Sequence, residues 1–198
     1  MGVSIEDIKK LKELTGVGLT DAKVALTEAN GDFDKALEAM RKKGLTRAEK
    51  KSDREAREGV IDSYVHSGRI GVIVEVNCET DFVARLDDFK QLAHEVAMQV
   101  AAMSPKYVTE ADIPEEEIAR VRGEAEERVK AEGKPADIAA KIVDGQVKKH
   151  FAEQTLMSQA FILDEKKTVA DHVKDNIAKL GENIIVRQFK RIELGVNE

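Results

Sequence analysis

The chain has 198 residues, of which 42% are hydrophobic and 35% charged, and it carries a net charge of −6. That balance excludes a disordered chain and argues against a general nucleic-acid binder, which carries a basic excess. A single cysteine, Cys78, excludes an internal disulfide and fits a reducing, cytoplasmic setting, and no apolar run approaches the ~18 residues needed to cross a bilayer.

The opening MGVSIEDIKK lacks the basic-then-apolar pattern of a signal peptide. From there the first 44 residues read as three short helices. Ser4 with Asp7 three positions on matches a capping box, and Ile5, Ile8, Leu11 and Leu14 repeat at helical spacing. The stretch TGVGLTDAK breaks this helix with two glycines, and Thr20 is placed to cap the next one. That second helix holds Val24, Ala25 and Leu26 and stops at Asn30-Gly31. Asp32 is placed to cap a third helix with Phe33, Ala36, Leu37 and Met40, ending near Gly44.

RKKGLTRAEKKSDREAR, residues 41–57, holds eight basic and three acidic side chains, so its balance is +5 and the remainder of the chain carries −11. Its plain reading is a solvated connecting helix with surface Lys–Glu pairs; its alternative is contact with RNA or phosphates. This segment sets the expected division: residues 1–54 as a helical unit with its basic connecting segment, and residues 55–198 as the core.

Beyond it the texture changes. VIDSYVH and IGVIVEVN are rich in β-branched residues and flank Ser67-Gly68-Arg69, a hairpin signal. A third strand is expected over Ile184–Leu194, although its alternation is imperfect. Between the strands lie helices. The first spans Phe89–Met103, with Phe89, Leu92, Val96, Val100 and Met103 on one face. The next runs from Pro114 to Gly133 and opens on three glutamates, which suit the positive end of a helix dipole. PADIAAKIVDGQVKKHF turns back against it as a partner helix, and Thr168–Leu180 forms a last helix closed by Gly181. The expected class is α+β: a small antiparallel sheet of about three strands packed with helices and a helical hairpin.

Motifs for chemistry are scarce. Gly44 and Lys51-Ser52 do not make a phosphate-binding loop, because no strand precedes them and Glu49 and Lys50 occupy the last spacing. His66, His94, His150 and His172 show no zinc-ligand spacing. A Cys78–His66 thiol–imidazole pair lacks an oxyanion-stabilising loop, and Glu115, Glu116, Glu117 and Glu124 read as solvated helix faces. The pattern favours a binding module over an enzyme. One stretch stands out: NCETDFVAR, residues 77–85, sets Phe82 behind Asp81 where the chain should turn into solvent. Either the ring folds back into the core beside Phe89, or it is presented to another molecule.

The stretches LKELTGVGLTDAKVALTEANGDFDKALEAMRKKG, VEVNCETDFVAR, EGKPADIAAKIVDGQVKKHF and LGENIIVRQFKRIELG together resemble bacterial elongation factor Ts over essentially the whole chain. The resemblance implies a guanine-nucleotide exchange factor for elongation factor Tu, with no cofactor, metal, membrane or direct nucleic-acid partner. It implies an N-terminal module similar to ubiquitin-associated domains that docks on the partner through Lys12, Leu19, Thr20, Asp21 and Lys23; many relatives carry a Met pair where this chain has Leu19-Thr20. It also implies that Thr80, Asp81, Phe82 and Val83 act in displacing the partner's Mg²⁺. Longer relatives carry the core subdomain twice, whereas this chain has one copy, which implies a homodimer in a 2:2 complex. Two rival readings remain: a ubiquitin-type adaptor resting on residues 1–44 alone, and an RNA binder using residues 41–57.

Overall fold

Along Ile70–Cys78 the side chains of Val72, Val74, Val76 and Cys78 are fully or almost fully buried, while Gly71, Ile73 and Glu75 between them are not. This period-two alternation makes a strand with one core face and one open face. In the computed structural model, which describes residues 3–15, 17–49, 51–132 and 135–196 (without the side chains of 41, 43–49, 136 and 137), this strand is the middle of a three-stranded sheet. We number it β2. β1 is Glu58–His66 and β5 is Ile185–Glu193, and both pair with β2 antiparallel. The β1–β2 hairpin turns at Ser67 (φ 50°) and Gly68 (φ 67°), both left-handed, as its tight turn requires.

The imperfect alternation of the last strand has a structural cause. Opposite Glu75 and Val76 the register shifts, so Glu75 faces Gln188 while Val76 faces Val186, and Arg187 is the extra residue of a bulge. Val186 and Phe189 therefore both turn toward the core although their spacing is odd.

α5, Asp87–Met103, lies on the inner face of the sheet and buries Phe89, Leu92, Val96 and Val100. Met103, expected on the same face, is instead 47% exposed: it is the last helical residue, and Ser104 (φ 47°) ends the helix in left-handed geometry. α8, Val169–Leu180, closes the same core with Val169, Val173 and Ile177. It is capped by Thr168 and Asp171 in a capping box, and ended by Gly181 at φ 82°. A two-stranded ribbon of β3, Ala160–Phe161, and β4, Asp164–Thr168, precedes it, which the sequence reading did not anticipate. β3 has only two residues, too few to show a period.

α6, Glu115–Ala131, and α7, Ala136–Gln154, form the helical hairpin, with their own cluster of Val121, Ala125, Val129, Val143, Val147 and Phe151. Gly133, expected between them, lies outside the described residues.

At the N-terminal end α1, Ile5–Thr15, α2, Leu19–Glu28, and α3, Phe33–Glu49, enclose a small cluster of Leu11, Ala22, Ala25, Leu26, Ala36 and Met40. Three expectations change here. Ile5 and Leu14 are 72% and 59% exposed, so of the α1 stripe only Leu11 is buried, with Ile8 half-buried. Gly18, not Thr20, is the cap of α2, and Thr20 lies inside its first turn. α3 also runs past Gly44 to Glu49, because one glycine within a helix costs only about 1 kcal/mol. Asn30 (φ 54°) and Gly31 (φ 83°) end α2 in left-handed geometry, and Asp32 Oδ1 accepts from the Lys35 amide (3.1 Å) as a cap for α3.

Candidate functional site

β2 ends at Cys78, and the chain turns through Glu79 and Thr80 into α4, the four-residue helix Asp81–Ala84. Thr80 is its N-cap: extended, with its hydroxyl accepting from the Val83 amide (3.5 Å). Val83 and Ala84, each 7% exposed, anchor the helix on the core. Phe82, the next residue round, points the other way and is 77% exposed, while Phe89 at the start of α5 is fully buried. The two homes weighed for Phe82 are thereby separated: the ring is outside its own core. Asp81 is half-buried and bonded to Arg85 across one helical turn (2.7 Å), at the surface.

The turn is also held by the connection between α8 and β5. Between α8 and β5, Glu182 Oε2 accepts from the amides of Glu79 (3.1 Å) and Thr80 (3.0 Å), and its Oε1 accepts from the Thr80 hydroxyl (2.6 Å). In return the Glu79 carboxylate accepts from the Asn183 amide (2.6 Å) and faces the Arg54 guanidinium at 3.5 Å. Asn183, 2% exposed, donates through Nδ2 to the carbonyls of Ser52 (3.2 Å) and Arg54 (2.7 Å). Lys51 donates to the Gly181 carbonyl. Glu79, Glu182 and Asn183 were not singled out from the sequence. Glu79 lies within NCETDFVAR, and the signal of Glu182 and Asn183 is a pair of polar residues directly after the Gly181 stop, where the chain enters a strand.

Part of the basic segment is therefore engaged within the molecule: Lys51 and Arg54 as above, and Arg57 with Glu55 (2.6 Å). Arg41, Lys43, Arg47 and Lys50 lie outside the described side chains.

Cys78 lies at one end of the hairpin, paired with Glu58, and His66 at the other, paired with Ile70. The thiol donates to the Thr80 carbonyl (3.1 Å), and burial, reinforced by the Glu182 charge, pushes its pKa up to about 11. His66 is bonded to Tyr64 (3.0 Å) and His94 to Asp62 (2.8 Å). These histidines and the thiol are local structural groups. Among the described residues, no three His, Cys, Asp or Glu side chains gather as a metal-binding set.

The N-terminal candidates cluster around the α1–α2 turn. Lys12 is in the last turn of α1 and exposed; Leu19, 54% exposed, Thr20, Asp21 and Lys23 occupy the first turns of α2, with Asp21 half-buried. Behind them a cleft of about 330 Å³ separates α1 and α3 from α5 and α8. At its base His172 donates to Glu95 (2.7 Å), which with the Gln91 amide holds that carboxyl below its usual range against the opposing effect of burial.

The outer face of the sheet is open and mixed, with exposed apolar side chains interleaved with Ser63, Glu75, Gln188 and Lys190. Ile61 (73%), Val65 (67%), Ile73 (55%) and Ile192 (73%) are exposed there, and Leu194 (62%) adjoins them. Lys190 pairs with Ile73 on this same face. No helix among the described residues is long and apolar enough to cross a membrane.

A family model described as Elongation factor TS matches residues 5–196. Elongation factor Ts of Fervidobacterium nodosum is 48% identical over 196 residues, covering 98% of this chain and 100% of that protein. Elongation factor Ts of Syntrophomonas wolfei is 50% identical over 194 residues, covering 98% of this chain and 91% of the relative. That of Coprothermobacter proteolyticus is 47% identical over 196 residues, covering 98% and 100% respectively.

Proposed function

The chain belongs to the elongation factor Ts family of translation elongation factors, and on that premise we propose that it is a nucleotide exchange factor acting on elongation factor Tu in the cytoplasm. The observation that carries this reading is Phe82: a large aromatic ring, 77% exposed, on a helix whose next two residues are buried. Isolated exposed apolar residues are common, but an aromatic raised on a fixed short helix has the form of an interface anchor.

Mg²⁺ bridging the phosphates is a large part of why a GTPase retains GDP. An exchange factor has only to bind the nucleotide-free partner better than the loaded one; reciprocity then weakens the nucleotide by the same factor. In this reading Phe82 lodges among the partner's side chains near its magnesium site, with Thr80, Asp81 and Val83 shaping the turn that carries it. A buried aromatic anchor is worth ~2 kcal/mol or more, about thirtyfold in an equilibrium constant. Lys12, Leu19, Thr20, Asp21 and Lys23 supply a second contact on the partner's nucleotide-binding domain. Residues 1–54 and 55–198 then act as a docking unit and a working core.

A homodimer engaging two partners is supported by the exposed Ile61, Val65, Ile73 and Ile192 on the open sheet face, since a second copy laid on it forms an isologous sandwich. The test of the function is direct. Elongation factor Tu loaded with fluorescent GDP is mixed with excess unlabelled nucleotide, with and without this protein. Release accelerated by catalytic amounts of the chain is expected; release at the unassisted rate refutes the reading.

A further inference from the structure

We infer that Glu182 is a positioning residue for exchange: its carboxylate fixes the Glu79–Thr80 turn, so that Phe82 stands ready before the partner arrives. This deepens the exchange-factor reading and rests on it.

The geometry forms one continuous chain of contacts. Two peptide N–H groups and one hydroxyl converge on the Glu182 carboxylate at 3.1, 3.0 and 2.6 Å. Hydrogen bonds to an ionised acceptor are roughly twice as strong as neutral ones. The Thr80 hydroxyl that donates to Glu182 also accepts from the Val83 amide, so the same group caps α4. Phe82 sits between these two bonded residues. Its own ring, 77% exposed, has little packing to hold it. A helix of four residues does not hold itself together in water, so the direction of α4 must be set by its cap and by the buried Val83 and Ala84.

The same knot reaches the N-terminal half. The Glu79 carboxylate accepts from the Asn183 amide, and Asn183 Nδ2 binds the carbonyls of Ser52 and Arg54. The segment leading from α3 and the turn carrying Phe82 are thus both tied to residues 181–183. Rigidifying a docking group in its bound geometry lowers the entropy lost on association, and it favours the state in which that group is fully lodged.

The experiment measures GDP release from elongation factor Tu as a function of concentration of the full-length chain, for wild type, Glu182→Ala, Glu182→Gln, Phe82→Ala and the double variant Phe82→Ala/Glu182→Ala. Glu182→Ala should lower the saturating rate about tenfold, as expected for losing several bonds to a charged acceptor. The half-saturating concentration should change by less than about twofold, because the N-terminal contacts remain. Glu182→Gln keeps an oxygen for the two N–H groups and should lose only roughly threefold; it also serves as the test if the alanine variant does not fold. The double variant should be no slower than Phe82→Ala alone, since Glu182 works through that ring. A purely structural role predicts a lower melting temperature with an unchanged saturating rate, or losses that multiply in the double variant; either result overturns the inference. If Phe82→Ala itself exchanges at the wild-type rate, the anchor reading fails first and the inference with it.

Discussion

Phe82 and Phe89 stand on consecutive helices and in opposite environments: Phe89 is fully buried between α5 and the sheet, and Phe82 is 77% exposed on α4. Their truncations should therefore separate cleanly. Phe89→Ala should cost about 3–5 kcal/mol of folding stability, the range for emptying a core aromatic site. Phe82→Ala should stay within ~0.5 kcal/mol, as surface changes do. Denaturant unfolding of the two variants side by side reads both numbers.

Gly59 in β1 has φ 153°, and a Cβ placed there would lie 2.1 Å from the Val76 carbonyl oxygen across the strand pair. Backbone cannot retreat cheaply from such a contact. Gly59→Ala should destabilise the chain by about 2 kcal/mol or more, adding the strain of the unusual φ to the clash. The same exchange at Gly68, where φ is 67° and nothing lies within 4 Å, should cost less. Thermal melts of the two variants test the ordering.

Cys78 supplies a pH signature. Its pKa rises from 9.0 to about 11 on folding because burial disfavours the thiolate. Below pH 9 both native and unfolded chains hold the proton, and the full native advantage is present. Above pH 9 the unfolded thiol ionises while the native one does not, so this contribution to stability is lost as pH rises toward 11. Native protein at pH 8 should resist alkylation by iodoacetamide, and the same protein in denaturant should label readily. A Cys78→Ala variant should show a shallower loss of stability through that alkaline window.

The outer sheet face makes a further prediction. Ile73 is 55% exposed at its centre, so Ile73→Lys should leave folding intact yet place a charge in any sandwich of two copies. Light scattering at matched concentration should report a dimer for wild type and a monomer for the variant. A monomer for both removes the proposed 2:2 assembly.

The helices and the hairpin were legible because their signals are local. Gly181, Asn30-Gly31 and Ser67-Gly68 stop or turn the chain where left-handed φ is needed, and Val72, Val74 and Val76 alternate as a half-buried strand must. The β5 bulge at Arg187 was not legible, because a register shift depends on the partner strand. The exposure of Phe82 followed only from the family resemblance and not from its own window, since an aromatic beside a strand end fits a core as well as a surface. Glu182 escaped as the bulge did: its bonds join positions more than a hundred residues apart, and no short window of sequence holds both ends.

Stimulated release of GDP from elongation factor Tu by the Phe82→Ala variant bears most directly on the whole reading. The account predicts a loss of about thirtyfold or more in the stimulated rate, set by one aromatic anchor, with the variant's own melting temperature unmoved. Wild-type rates from a fully folded Phe82→Ala protein would contradict it.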